Sequence, residues 1–228
     1  MNIKSYDPLL QVILLCCLIF LNAFLLINYA SFLFLLSILL LKVYQIIGGG
    51  GVHLWACHNL GKDKIGSKSK FAILFFWLLC GINRASYFCK YHILHHSKCD
   101  KEGDPHSPND HNALSLSLGL WALTAKNKDK FITYPVQNVI NKSFERIGNH
   151  WLDKYYYTLI FSIIGVSLLV SPIFCLYVIT LPMLLNIIDG NFFFVYYFHK
   201  DGKVKNIPWV NYWIFNSGNH RIHHTWLK

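Results

Sequence analysis

Nine of the twelve histidines in this 228-residue chain fall in four short places. His53 and His58 frame HLWACH; His92, His95 and His96 form YHILHH; His220, His223 and His224 form NHRIHH; His199 follows a long apolar run. In an HxxHH pattern on a helix, positions i, i+3 and i+4 lie within about 100° of arc, so the three rings leave one face. The spacing of five in HLWACH turns through about 140° on an ideal α-helix, which suits a helix end where rings converge from different turns. A single interfacial histidine is more often a hydrogen-bonded structural residue than a ligand. Eight grouped ones are different, because crowded, desolvated imidazoles are costly without a cation to hold them. A structural zinc needs four ligands, half of what is offered, so the excess points to two metals. Imidazole serves Zn, Cu, Ni and Fe alike. Redox iron is the favoured reading because there is no Gly-rich phosphate loop, serine elbow or HExxH motif. His106, His111 and His150 are isolated and read as non-ligands.

The elements that must position these rings are apolar. Hydrophobic residues make up 54% of the chain and charged ones 14%, too few charges for a water-facing surface. Lys42 is the only charge from Pro8 to Gly51, and there is none from Tyr155 to Ile188. Each run is long enough for two membrane helices. The expected fold is all-α and integral to the membrane. Four transmembrane helices pair in two hairpins, Leu9–Asn28 with Ala30–Gly51 and Tyr155–Ser171 with Ile173–Phe198. A cytoplasmic helical cap carries a histidine-rich dimetal site, and residues 1–228 form one domain. Gly48–Gly51 would break the second helix or let another backbone approach. Lys42 and Asp189 are placed near helix ends. Phe71–Ile82 and Ala113–Leu123 are too short to span and read as interfacial or re-entrant helices; 100–112 reads as a loop.

The net charge of +10 is unevenly placed. Fourteen of the 21 basic residues lie between Gly48 and Lys154 and five after His199, while the short connections inside the apolar runs carry none. This pattern puts both termini and all the histidine groups on the cytoplasmic side of a bacterial inner or endoplasmic reticulum membrane, beside anionic lipid, with no call for nucleic acid. The seven cysteines show no CxxC spacing and read as small apolar residues.

GVHLWACH at 51–58, YHILHH with SKCDKEGDPHSP at 91–108, and HRIHH at 220–224 together resemble the three histidine boxes of the membrane fatty acyl desaturases, the acyl-CoA delta-9 type in particular. The resemblance implies a di-iron, non-haem centre held by His53, His58, His92, His95, His96, His199, His220, His223 and His224. An asparagine of the family four residues before His199 is Val195 here, which leaves Asn191, Asn216 and Asp104 as candidate polar groups behind the ligands. Leu54 and Asn59 replace basic residues of the family's first box. The implied reaction places a cis double bond in a saturated acyl chain, from acyl-CoA or acyl-lipid, using dioxygen and two electrons from a separate cytochrome or ferredoxin. Trp55, Phe76, Trp77 and Phe194 are the candidate tunnel lining. A membrane di-iron hydroxylase shares the ligands, and a non-enzymatic metal or haem protein is the reading from another class.

Overall fold

In a computed structural model the described residues are 7–59, 65–200, 204–209 and 224. Every regular element among them is a helix. Helix α1 (Asp7–Tyr29) turns through 30–33 into α2 (Phe34–Cys57). The turn is pinned from another helix: the Tyr177 hydroxyl accepts from Ser31 N at 2.8 Å and donates to the Tyr29 carbonyl at 2.6 Å. Then come α3 (Ser67–Cys80), α4 (Ala85–Lys98), the short α5 (Ala113–Ser117) and α6 (Ala122–Ala125), α7 (Tyr134–Ile147), α8 (Trp151–Lys154), α9 (Tyr156–Val170) and α10 (Pro172–Tyr197).

Helices α1, α2 and α10 are long and apolar enough to cross a membrane; α3 and α4 form a broken pair bent by 82° that would make a fourth span if counted as one. Helix α9 has 15 residues rather than the 17 expected, short of a hydrocarbon core on its own. Phe20, Phe24, Ile27, Phe32 and Leu169 stand exposed on the outside of the bundle, where water would be costly and lipid is not. The chain is a membrane protein built of helices.

Several local expectations change. The four glycines do not break α2. The helix runs through them and widens into two π-helical turns, Gln45–Gly49 and Val52–Cys57. A Cβ on Gly48 would lie 2.4 Å from the Phe76 carbonyl carbon and the Trp77 nitrogen, so this glycine lets α2 touch the α3 backbone. Lys42 and Asp189 sit within α2 and α10 rather than at their ends: Gln45 Nε2 donates to Asp189 Oδ2 at 2.7 Å, with Lys42 Nζ 3.9 Å from the same oxygen. The stretch Ala113–Leu123 is no continuous helix, because Gly119, at φ +69°, divides α5 from α6. Residues 100–112 are a succession of turns, as expected.

The start of α4 carries a buried charge network. Arg84 precedes the helix with no capping side chain of its own. Asp153 of α8 supplies the missing acceptor, taking Ser86 N at 3.0 Å and Ser86 Oγ at 2.8 Å. Arg84 spans Asp7 of α1 (3.1 Å) and Asp153 (3.4 Å), all three nearly inaccessible. A carboxylate at a helix N-terminus meets both unpaired N–H groups and the positive end of the dipole. Three distant segments thereby fix the helix that carries YHILHH.

Candidate metal centre

The π-turn at Val52–Cys57 decides the position of the first two rings. The His58 N–H bonds to the His53 carbonyl at 3.2 Å, closing a turn over five residues and bringing edge to face the two rings that an α-helix would separate. Their Nε2 atoms are 3.2 Å apart. His92 on α4 enters between them, its Nε2 2.9 Å from that of His53 and 3.1 Å from that of His58; His96, one turn on, comes within 3.0 Å of the same atom. A ring nitrogen carries one proton or one lone pair, yet His92 Nε2 faces three others. Nitrogens bound about 2.0–2.1 Å from one ion lie about 2.9–3.4 Å apart in tetrahedral or octahedral geometry. The four rings have the spacing of a ligand shell.

A second group adjoins it. One nitrogen each of His95, His199 and His224, together with Cys99 Sγ, all lie within 4.8 Å of one another. The rings of His95, His199 and His224 meet edge to face with centroids 4.7–5.0 Å apart. His224 also stacks on His96 of the first group at 4.2 Å, and neighbours His95 and His96 serve one group each. His199 is brought in by the end of α10, at the same end of the bundle as the end of α2.

Behind these rings stand carboxylates. Asp104, fully buried, lies 2.9 Å from His95 Nδ1 through Oδ2, which also accepts from Asp100 N at 2.8 Å; its Oδ1 accepts from His106 N at 3.0 Å. Asp100 Oδ2 is 3.0 Å from His199 Nδ1. A carboxylate on one ring nitrogen orients the ring and leaves the other nitrogen for metal. His106, buried against His95 with centroids 4.1 Å apart, joins His95 and Asp104 in a third cluster, and burial pushes its imidazole down to about 4. It is not a surface residue. His150 caps α8, its Nδ1 accepting from Leu152 N at 3.3 Å.

The cysteines are not all apolar filler. Cys99 belongs to the second group, and burial with Asp100 and Asp104 nearby pushes its thiol upward. Its i+4 spacing from His95 was the signal in the sequence. Cys57 and Cys89 touch beneath the first group, sulfur to sulfur at 3.1 Å. Asn191 does not reach a ligand: its Oδ1 accepts from Trp121 Nε1 and its Nδ2 donates to the Ile187 carbonyl. His220, His223, Asn216 and the Phe194 side chain lie outside the described residues.

The proposed tunnel residues do not line one cavity. Trp77 is core, its Nε1 donating to the Asn83 carbonyl and its ring backing Phe88, which stacks on His92 at 5.0 Å. Phe76 packs on Tyr44. Trp55 lines a cleft of about 650 Å³ with Asn59, Lys70, Lys142, Glu145 and Arg146. An apolar groove of about 630 Å³ lies elsewhere, between α2 and α10, against Leu41, Ile188 and Phe192.

No protein-family model, curated protein or solved structure matches the chain.

Proposed function

We propose that this protein is an integral-membrane fatty acyl desaturase whose two iron ions are held by the two histidine groups. The observation that carries the reading is the convergence on His92 Nε2 of three other imidazole nitrogens within 3.1 Å, beside a second group of three rings, at one end of a bundle of apolar helices. The three box motifs of the sequence supply the choice of desaturase among metal-dependent membrane proteins. Iron, when bound, supplies the activation of dioxygen that removing hydrogen from an unactivated methylene requires. Overall, one dioxygen, two electrons and two protons are consumed as two adjacent methylenes become a cis alkene, and two waters leave.

The protein's own share is positioning. Among the described residues, His53, His58, His92 and His96 would hold one ion and His95, His199 and His224 the other, with Asp104 and Asp100 orienting His95 and His199; His220 and His223 remain candidate ligands from the sequence. The cleft beside Trp55, with Lys70, Lys142 and Arg146, suits the anionic head of an acyl-CoA. The basic surface fits a cytosolic location of the histidine groups and docking of a separate acidic electron donor.

Gas chromatography with mass spectrometry of lipids from a host expressing wild type or His92→Ala tests the proposal. A new monounsaturated acid made only by wild type supports it. A new hydroxy acid instead assigns the site to a hydroxylase. An unsaturated product made equally by both forms removes the site from the chemistry.

A further inference from the structure

We infer that Cys99 is a thiolate ligand of the second metal position, which makes the centre asymmetric: among the described residues, four imidazoles on one side, three imidazoles and a sulfur on the other. The inference rests on reading the histidine groups as a two-metal centre, and it names a ligand that histidine spacing alone does not.

Cys99 follows His95 by four residues, so the end of α4 carries both on one face. At Cys99 the backbone leaves the helix with ψ 113°, and Asp100 takes a left-handed conformation at φ +57°. Aspartate tolerates that region better than most residues. The turn sets the two side chains against the same ring: Cys99 Sγ is 3.7 Å from His199 Nδ1, and Asp100 Oδ2 is 3.0 Å from it. The sulfur is therefore a neighbour of a ring delivered from the far end of the chain, 100 residues away in sequence. With one nitrogen each from His95, His199 and His224 it completes a set of four ligand atoms, all within 4.8 Å of one another.

Four such donors around one ion are a familiar tetrahedral complement. Sulfur would lie about 2.3 Å and nitrogen about 2.0–2.1 Å from zinc, which puts sulfur and nitrogen about 3.6 Å apart. The four candidate ligand atoms, all within 4.8 Å of one another, need only a small contraction to reach that spacing. A thiolate brings negative charge and softness that imidazole lacks, and so favours zinc, cobalt or iron over magnesium or calcium at this position. It also distinguishes the two positions, so that two chemically identical ions would bind with different spectra and different affinities. Asp100 remains close enough to compete for the ion, at 3.6 Å from the same sulfur, and the experiment must separate carboxylate from sulfur ligation.

Cobalt(II) makes that separation, because only a thiolate gives a sulfur-to-cobalt charge-transfer band in the near ultraviolet. Purified full-length protein stripped of metal and titrated with cobalt(II) is expected to bind two equivalents and to show that band. Cys99→Ser should abolish the band, keep the visible bands of the four-histidine position, and weaken the second equivalent by about 100-fold. Cys89→Ser should keep the band. A measurement independent of any variant is X-ray absorption of the zinc-loaded wild type, where a sulfur shell at about 2.3 Å is expected. Two equivalents of cobalt bound with no such band, or a band unchanged in Cys99→Ser, would overturn the inference and leave the two-metal reading standing. A protein that binds no cobalt at all would remove both.

Discussion

His58 Nε2 lies 3.2 Å from His53 Nε2 because the backbone N–H of His58 bonds to the carbonyl of His53, five residues earlier. The ligand pair exists only in the π register. On an α-helix the same residues would diverge by about 140°, and one of them would face away from α4. Inserting one alanine after exposed Leu54 should leave them six residues apart and turn them away from each other in either register, with Trp55 and Cys57 displaced as well. The expected result is loss of metal from the four-histidine position, a fall from about two ions per chain to about one, read by elemental analysis. Leu54→Ala, which keeps the register, should retain both.

Gly48 and Gly49 are neighbours in sequence with opposite surroundings. A Cβ at Gly48 would meet α3 backbone at 2.4 Å, whereas one at Gly49 has nothing within 4 Å. Backbone cannot give way as a side-chain tip can, so Gly48→Ala must push α2 from α3. The expected cost is about 1–3 kcal/mol or more, with loss of metal because His53 and His58 ride on the displaced helix. Gly49→Ala should stabilise by about 0.5–1 kcal/mol through helix propensity. Thermal unfolding in detergent, followed by tryptophan fluorescence, distinguishes them. Equal behaviour of the two variants would mean that α2 and α3 do not meet at Gly48.

The parts of this arrangement legible in the sequence are those set by local periodicity. The apolar runs mark α1, α2 and α10, and HxxHH on α4 puts His92 and His96 on one face because four residues make about one turn. Helix α7 was missed, although Pro135 at its start and Gly148 just past its end mark it. What was not legible depends on partners far along the chain. The π-turn at Val52–Cys57 follows no local propensity. The cap of α4 comes from Asp153, 67 residues beyond Ser86. Cys99 looked like a small apolar residue until His199 was placed beside it. Trp77 was read as tunnel lining, but aromatic residues near a membrane exit most often pack, and this one backs Phe88.

Asp153 should be as important to the centre as a ligand, although it touches none. Its carboxylate is the cap of α4 and one of two counter-charges to a buried guanidinium. Asp153→Leu strands Arg84 with Asp7 alone, and breaking a buried pair costs about 3–5 kcal/mol. Arg84→Leu with Asp153→Leu should recover part of that loss, since the desolvated charge goes with its partner, but the cap of α4 stays missing. The unfolding midpoint in detergent is the readout. A single variant as stable as wild type would show that α4 is held by packing alone.

Asp104 offers a sharper test of how the second position is held. Its two oxygens take three interactions: His95 Nδ1, Asp100 N and His106 N. An asparagine has the same shape but only one acceptor oxygen, so Asp104→Asn must leave part of that set unmet and must remove the charge that favours a proton on His95 Nδ1. The consequence falls unequally on the two positions. His95 turns or changes tautomer, and zinc at the second position should be held about 10–100-fold less tightly. The four-histidine position is built on ring nitrogens 2.9–3.2 Å apart and should keep its affinity. Competition against a chelator of graded strength reads both affinities in one titration. Loss of both ions together, at the same chelator concentration, would mean that the two positions form one cooperative unit rather than two sites sharing a wall at His95 and His96.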